Sequence, residues 1–261
     1  RHNISLKPSI VHNLTSTQES VVRLSLSKID TIIRVNNVYI MQINKYIDHT
    51  LLKATATKEQ ITKLCKEAKE YNFYAVCVNG CYVELAKREL QNSDVKIAAV
   101  IGFPLGAMIT DVKVFEAKEC VKKGASEIDM VINVGKLLDG ENEYVENEIR
   151  KIKEAIGNNI LKVIFENCYL SKEQIKTASQ LAVNAGADFV KTSTGFGTDG
   201  ATFEDVQLMK DVVKNKAQIK AAGGVRDKET AERYIKIGVT RLGTSSGVSL
   251  VTSGVSDKNQ Y

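Results

Sequence analysis

Gly186-Ala-Asp-Phe-Val-Lys191 is the stretch whose reading decides the fold. A glycine able to adopt the left-handed conformation ends the helical pattern before it, and a β-rich run begins three residues later. The same arrangement recurs as Gly124-Ala-Ser-Glu-Ile-Asp129 and Gly238-Val-Thr-Arg-Leu-Gly243. In each copy the fourth residue after the glycine is apolar (Ile128, Val190 or Leu242) and is expected to face covering helices. Side chains alternate along a strand, so the fifth residue points the other way. Asp129, Lys191 and Gly243 are therefore expected to point inward.

Outward from these copies, eight β-rich runs alternate with amphipathic helical stretches: Tyr46 to Leu51, Tyr74 to Val78, Ile97 to Phe103, Ile128 to Val134, Leu161 to Phe165, Phe189 to Thr192, Gln218 to Ala221 and Thr240 to Gly243. Strands that alternate with helices build a parallel sheet, and eight such units over residues 45–250 point to a closed (β/α)8 TIM barrel more than to an open doubly wound sheet. Residues 1–44 are then an N-terminal extension and residues 251–261 a C-terminal tail. Helix starts are expected at three capping boxes, Thr57 with Gln60, Ser171 with Gln174, and Thr202 with Asp205. In each, a hydroxyl covers an orphan amide and the side chain three residues on reaches back.

The composition bounds the function. The 261 residues are 43% hydrophobic and 26% charged, the profile of a folded α/β protein. The net charge of +5 is spread along the chain without basic blocks, which argues against nucleic acid as a partner and suits a small anionic ligand. No apolar run approaches the roughly 20 residues needed to span a bilayer. The five cysteines form no CxxC pair, and two of the three histidines, His2 and His12, lie in the extension. Neither a disulfide framework nor a catalytic metal site is expected.

The extension admits two readings. It is rich in Arg, Lys and Ser and poor in acids, as the remnant of an organelle-targeting peptide would be. Alternatively, Val22, Leu26, Ile29 and Ile33 form one face of an extra helix across the barrel. The cytoplasm is the expected location, an organelle if the first reading holds.

An aspartate and a lysine aimed into a barrel are costly to desolvate unless they pair or react. Lys220 follows on the next strand, close enough for two ammonium groups to meet at the carboxyl ends of neighbouring strands. Two cations in a partly dry site lower the pKa of at least one, and a neutral lysine is the nucleophile a Schiff-base enzyme requires. The plainer reading is a pair of lysines whose stems pack at strand ends while their heads reach water. Lys162, in Leu161-Lys-Val-Ile-Phe-Glu166, also lies in a barrel strand, and pattern alone does not rank the three lysines.

A phosphate site is expected from Ala222-Gly223-Gly224-Val225-Arg226 after the seventh run and Gly243-Thr244-Ser245-Ser246-Gly247 after the eighth. Glycine-rich turns free backbone amides to face one anion, and the last two loops of such barrels are a common phosphate site.

Five segments together resemble the signature of the deoxyribose-phosphate aldolase family: Tyr46-Ile-Asp-His-Thr-Leu-Leu-Lys53, Gly102-Phe-Pro-Leu-Gly106, Glu127-Ile-Asp-Met-Val-Ile-Asn133, Phe189-Val-Lys-Thr-Ser-Thr-Gly-Phe-Gly197 and Lys220-Ala-Ala-Gly-Gly-Val-Arg226. The resemblance implies a class I aldolase without metal or organic cofactor, a homodimer or homotetramer, that reversibly cleaves 2-deoxy-D-ribose 5-phosphate in deoxyribose catabolism. It implies Lys191 as the Schiff-base lysine, Lys220 as the neighbour that lowers its pKa, and Asp129 as the proton-transfer group acting through water. Asp48, Lys162, Thr194, Gly195, Gly223, Gly224, Gly243, Ser245 and Ser246 are the implied substrate- and phosphate-binding positions. Some relatives carry a lysine where this chain has Phe196, so a side-chain phosphate contact there is not expected. His49 is expected to support the fold and Cys77 to pack in the core. Two rival functions are another Schiff-base aldolase, for a longer or doubly phosphorylated sugar, and a non-catalytic phosphosugar-binding scaffold. One phosphate site argues against the first, and the trio Asp129, Lys191 and Lys220 against the second.

Overall fold

Eight short parallel strands close on themselves: β1 (Ile47–Leu51), β2 (Ala75–Asn79), β3 (Lys96–Ile101), β4 (Glu127–Val131), β5 (Ile160–Ile164), β6 (Phe189–Lys191), β7 (Gln218–Ala222) and β8 (Arg241–Thr244), with β8 paired back onto β1. The computed structural model describes residues 32–35 and 38–252. They fall into two units, divided between Gln42 and Ile43.

The helices are α1 (Lys58–Glu70), α2 (Val83–Glu89), α3 (Thr110–Lys123), α4 (Val134–Leu138), α5 (Asn142–Ile156), α6 (Lys172–Asn184), α7 (Phe203–Val213), α8 (Lys228–Ile237) and α9 (Gly247–Thr252). Most of the longer helices bury one apolar stripe, for instance Ile61, Leu64, Cys65 and Ala68 on α1, or Val145, Ile149, Ile152 and Ile156 on α5. Full burial of an aliphatic side chain of this size contributes about 1.5–3 kcal/mol, so these stripes dock the helices on the sheet.

The punctuation follows the sequence with local differences. Thr57 and Ser171 make reciprocal capping boxes with Gln60 and Gln174. Thr202 makes only half of one: its hydroxyl accepts from the Asp205 amide, while the Asp205 carboxylate takes Lys172 Nζ at 2.6 Å. Gly124 and Gly238 cap α3 and α8 in the left-handed conformation, and Gly186 (φ +79°) follows the cap residue Ala185. Two strands end one residue earlier than expected, at Ile164 and Lys191, and two end earlier still. β3 stops at Ile101, because Gly102 turns the chain (φ +58°). β4 stops at Val131, and Val134 instead opens α4, whose first turn is capped by the Asn133 side chain on the Lys136 amide.

The first unit contains an antiparallel ladder, Ile32–Val35 with Val38–Met41, in which β-branched residues favour extended backbone. Ile33 therefore lies in a strand and not on the helical face expected with Val22, Leu26 and Ile29; those three lie outside the described residues. His2 and His12 lie outside them too, as does the tail beyond Thr252.

Candidate active site

Closure of the sheet turns the alternate residues of every strand into one interior. In this barrel the usual aliphatic filling gives way to charge. Asp48 on β1, Glu127 and Asp129 on β4, Lys162 on β5, Lys191 on β6, Lys220 on β7 and Arg241 on β8 are all buried. The register sets Asp129 beside Lys162, Lys191 beside Lys220, and Lys220 beside Arg241. Gly243 pairs with Asp48, and a Cβ on Gly243 would stand 3.1 Å from Lys220 Cε and 2.9 Å from Ala222 Cβ, so this position leaves room for the lysine stem.

The hydrogen bonds rank the three lysines. Lys162 Nζ lies 2.6 Å from Asp129 Oδ1, 2.5 Å from Glu127 Oε2 and 3.7 Å from Asp48 Oδ2. Lys220 Nζ donates to Asp48 Oδ2 at 2.5 Å and to Asp129 Oδ2 at 2.8 Å. Lys191 Nζ has Asp129 Oδ2 at 2.8 Å. Only Lys191 of the three lines the cleft at the carboxyl ends of the strands, together with Thr194, Gly223, Gly243 and Ser245. The other two are sealed beneath it, at 0% exposure.

Electrostatics follow this depth. Burial opposes the charge on Lys162 and Lys220, but their carboxylates outweigh it and hold both lysines above the ordinary range. Lys191 goes the other way: burial is the largest cause, the Lys220 charge adds to it, and Asp129 alone does not compensate. Burial would raise Asp129, yet Lys162, Lys191 and Lys220 hold it well below the carboxylate range; Asp48 is lowered likewise by Arg241, Lys220 and Lys162. Cys77 sits among Leu52, Ala98, Val100 and Phe103, and burial raises its thiol. His49 Nε2 meets Glu67 Oε2 at 2.8 Å and so ties β1 to α1.

The glycine turns take the conformations expected of them. Gly195, Gly223 and Gly224 have φ of +86°, +82° and +81°. A Cβ on Gly223 would stand 2.8 Å from Gly200 Cα, whereas Gly224 faces open space. Ser246 differs from its neighbours. Its amide already donates to Thr244 Oγ1 at 2.9 Å, and it lines an adjoining cavity of about 290 Å³ with Ser245, Lys53 and His49.

Three buried charged residues in and beside this interior, Glu127, Glu166 and Arg241, were passed over in the sequence. Glu127 and Arg241 precede Asp129 and Gly243 by two, and the same alternation places them inward. Glu166 holds a left-handed backbone (φ +57°), accepts from the Thr194 amide at 3.1 Å and bonds the Thr194 hydroxyl. That hydroxyl in turn accepts from the Phe196 amide at 2.9 Å, so one carboxyl shapes the loop after β6. Burial raises the Glu166 pKa.

Among the described residues no group of three or more His, Cys, Asp or Glu is placed to hold a metal ion, and no helix is long and apolar enough to cross a membrane.

Comparison with known proteins bears on this arrangement. A family model described as DeoC/LacD family aldolase matches residues 42–254. A deoxyribose-phosphate aldolase of Treponema denticola is 55% identical over 214 residues, covering 81% of this chain and 99% of that protein. Its counterpart in Finegoldia magna is 53% identical over 211 residues, covering 81% of this chain and 99% of its own. Among solved structures, the tetrameric deoxyribose phosphate aldolase of Aeropyrum pernix is 33% identical, with a TM-score of 0.73 over 81% of this chain and 90% of that one.

Proposed function

The chain belongs to the DeoC/LacD family of aldolases, and on that premise we propose that Lys191 is the Schiff-base lysine with which it cleaves 2-deoxy-D-ribose 5-phosphate to acetaldehyde and D-glyceraldehyde 3-phosphate. The observation that carries the assignment is depth: of three interior lysines, Lys191 alone reaches the cleft.

Neutral Lys191 Nζ attacks the aldehyde carbon of the open-chain sugar. Loss of water from the carbinolamine leaves an iminium, which withdraws electrons from C2. The 3-hydroxyl proton is removed, the C2–C3 bond breaks, and its electron pair becomes the enamine as glyceraldehyde 3-phosphate departs. Protonation at C2 and hydrolysis then release acetaldehyde and the free amine. Asp129 accepts from both lysines and is held ionised, so it passes a proton onward through water and does not retain it. General acid–base help of this kind is worth roughly 10²- to 10⁴-fold.

Lys220 keeps its charge beside Lys191 and so disfavours protonation of the nucleophile. Asp48 accepts from Lys220 and Lys162 pairs with Asp129; both are fully buried beneath the cleft, so they act through these partners and not, as the resemblance implied, by contact with substrate. Thr194, Gly223, Gly243 and Ser245 line the cleft beside Lys191, and a phosphate there would meet backbone amides and hydroxyls; Gly195, Gly224 and Ser246 lie in the same loops and are the remaining candidates. Self-association as a homodimer or homotetramer belongs to the same reading. The Aeropyrum pernix tetramer supports it, as do the exposed apolar side chains Ile109 and Phe115 at α3. Deoxyribose catabolism in the cytoplasm belongs to the same reading.

The test is reduction with cyanoborohydride in the presence of acetaldehyde, followed by mass spectrometry of the peptides. Among Lys162, Lys191 and Lys220, an ethyl group on Lys191 alone is expected, over the scattered ethylation that exposed lysines also take. Labelling of Lys162 or Lys220, or of no lysine, would overturn the assignment.

A further inference from the structure

Ion pairs join three carboxylates (Asp48, Glu127, Asp129) and four bases (Lys162, Lys191, Lys220, Arg241) into one network inside the barrel. Arg241 closes its far end. It opens β8, as Glu127 opens β4, whereas Lys191 ends β6 at the opposite mouth. The Arg241 guanidinium lies 2.8 Å from Asp48 Oδ1, 3.0 and 3.1 Å from the two Glu127 oxygens, and 3.5 Å from the centre of the Tyr74 ring. Asp48 passes the link to Lys220, Lys220 to Asp129, and Asp129 to Lys191.

A dry interior disfavours uncompensated charge, and with every group ionised this one carries a single excess cation. Arginine does not deprotonate in proteins, so a lysine must yield. Lys162 contacts three carboxylates and Lys220 two, while Lys191 has one oxygen, which it shares with Lys220. Lys191 is the base held least.

We propose that Arg241 is a positioning residue for the aldol reaction: by occupying Asp48 and Glu127 it leaves the interior one cation in excess, and Lys191 is the amine that gives up its proton. The proposal rests on Lys191 being the imine-forming lysine. The direction of the Lys191 shift, downward through burial and Lys220, agrees with it. Two further titratable groups face Lys191. Cys77 on β2 is kept neutral by burial, and Glu166 beyond β5 is bonded to Thr194 and pairs with none of the four bases.

The test is the pH dependence of kcat/KM, whose acidic limb reports the protonation of Lys191. Arg241→Met equalises the two signs, so the limb should move up by about one pH unit, a roughly tenfold loss of rate on the acidic side. Glu127→Gln increases the excess, so its limb should move down. The double variant restores an excess of one and should return the limb to its wild-type position, and Arg241→Lys, which keeps the cation, should leave it there. Should Arg241→Met fail to fold, Glu127→Gln and Arg241→Lys read the proposal without it. Limbs that stay in place, or that move the same way in both single variants, would overturn it. Trapping with acetaldehyde and cyanoborohydride in each variant separates the two readings. A label on Lys191 with unmoved limbs sinks this inference alone, and a label elsewhere sinks the assignment beneath it.

Discussion

Lys191 and Lys220 donate to the same oxygen, Asp129 Oδ2, each at 2.8 Å. Sharing one acceptor brings two ammonium groups within a few ångströms in a site without bulk water, where their repulsion is weakly screened. The cost falls on the lysine with no second carboxylate. Lys220 has Asp48 as well, so it keeps its proton and Lys191 is the amine whose charge is disfavoured.

Removing the Lys220 charge should therefore disable the nucleophile more than the fold. Lys220→Leu is expected to lower kcat/KM at neutral pH by about 10²-fold, with activity returning toward alkaline pH as Lys191 deprotonates. Rates measured across the pH range check this, and a loss of the same size at every pH would sink it.

Lys191 should also weaken the protein it serves. Its folded pKa lies below 10.5, so below that pH the unfolded chain binds more protons, and the residue subtracts stability at neutral pH. The penalty fades as pH rises toward 10.5. Lys191→Met is expected to abolish cleavage while adding on the order of 1 kcal/mol at pH 7, a rise of about 2–4 °C in Tm, with the gain vanishing in alkali. A lower Tm for the variant at pH 7 would refute this sign.

The phosphate loops should show a split between substrates. Gly224 faces open space at φ +81°, so a bulky residue there strains the backbone and fills the place given to the anion. Ser246→Ala combined with Gly224→Val is expected to cost at least tenfold more kcat/KM on 2-deoxyribose 5-phosphate than on unphosphorylated 2-deoxyribose. Equal losses on both sugars would place the phosphate elsewhere.

Thr194 relays the Glu166 carboxyl to the Phe196 amide, and Thr194→Val breaks both side-chain links. The loop after β6 should loosen, raising KM for the phosphorylated sugar by roughly tenfold, equivalent to about 1.4 kcal/mol. Tm should fall by only a few degrees, in keeping with one or two lost hydrogen bonds. An unchanged KM beside a large drop in Tm would mean that the pair serves the fold alone.

The legible part of this protein is its local part. Alternation and glycine caps act over two to six residues, and they were enough to mark the barrel units and to turn Asp129 and Lys191 inward. The same alternation marks Glu127 and Arg241, but their importance lies in a bond to each other across 114 positions of chain, which no local pattern carries. The half-made cap at Thr202 has the same origin, since the Asp205 carboxylate is drawn away by Lys172, 33 residues distant.

Sequence alone thus determined the fold class, the glycine turns and three lysines on neighbouring barrel strands. Only the tertiary structure decided which of them lies open to the cleft and which two are sealed beneath it. A pKa depends on depth and on neighbouring charge, and both were set when β8 closed onto β1 and the register placed Lys220 between Asp48 and Asp129 while leaving Lys191 at the mouth.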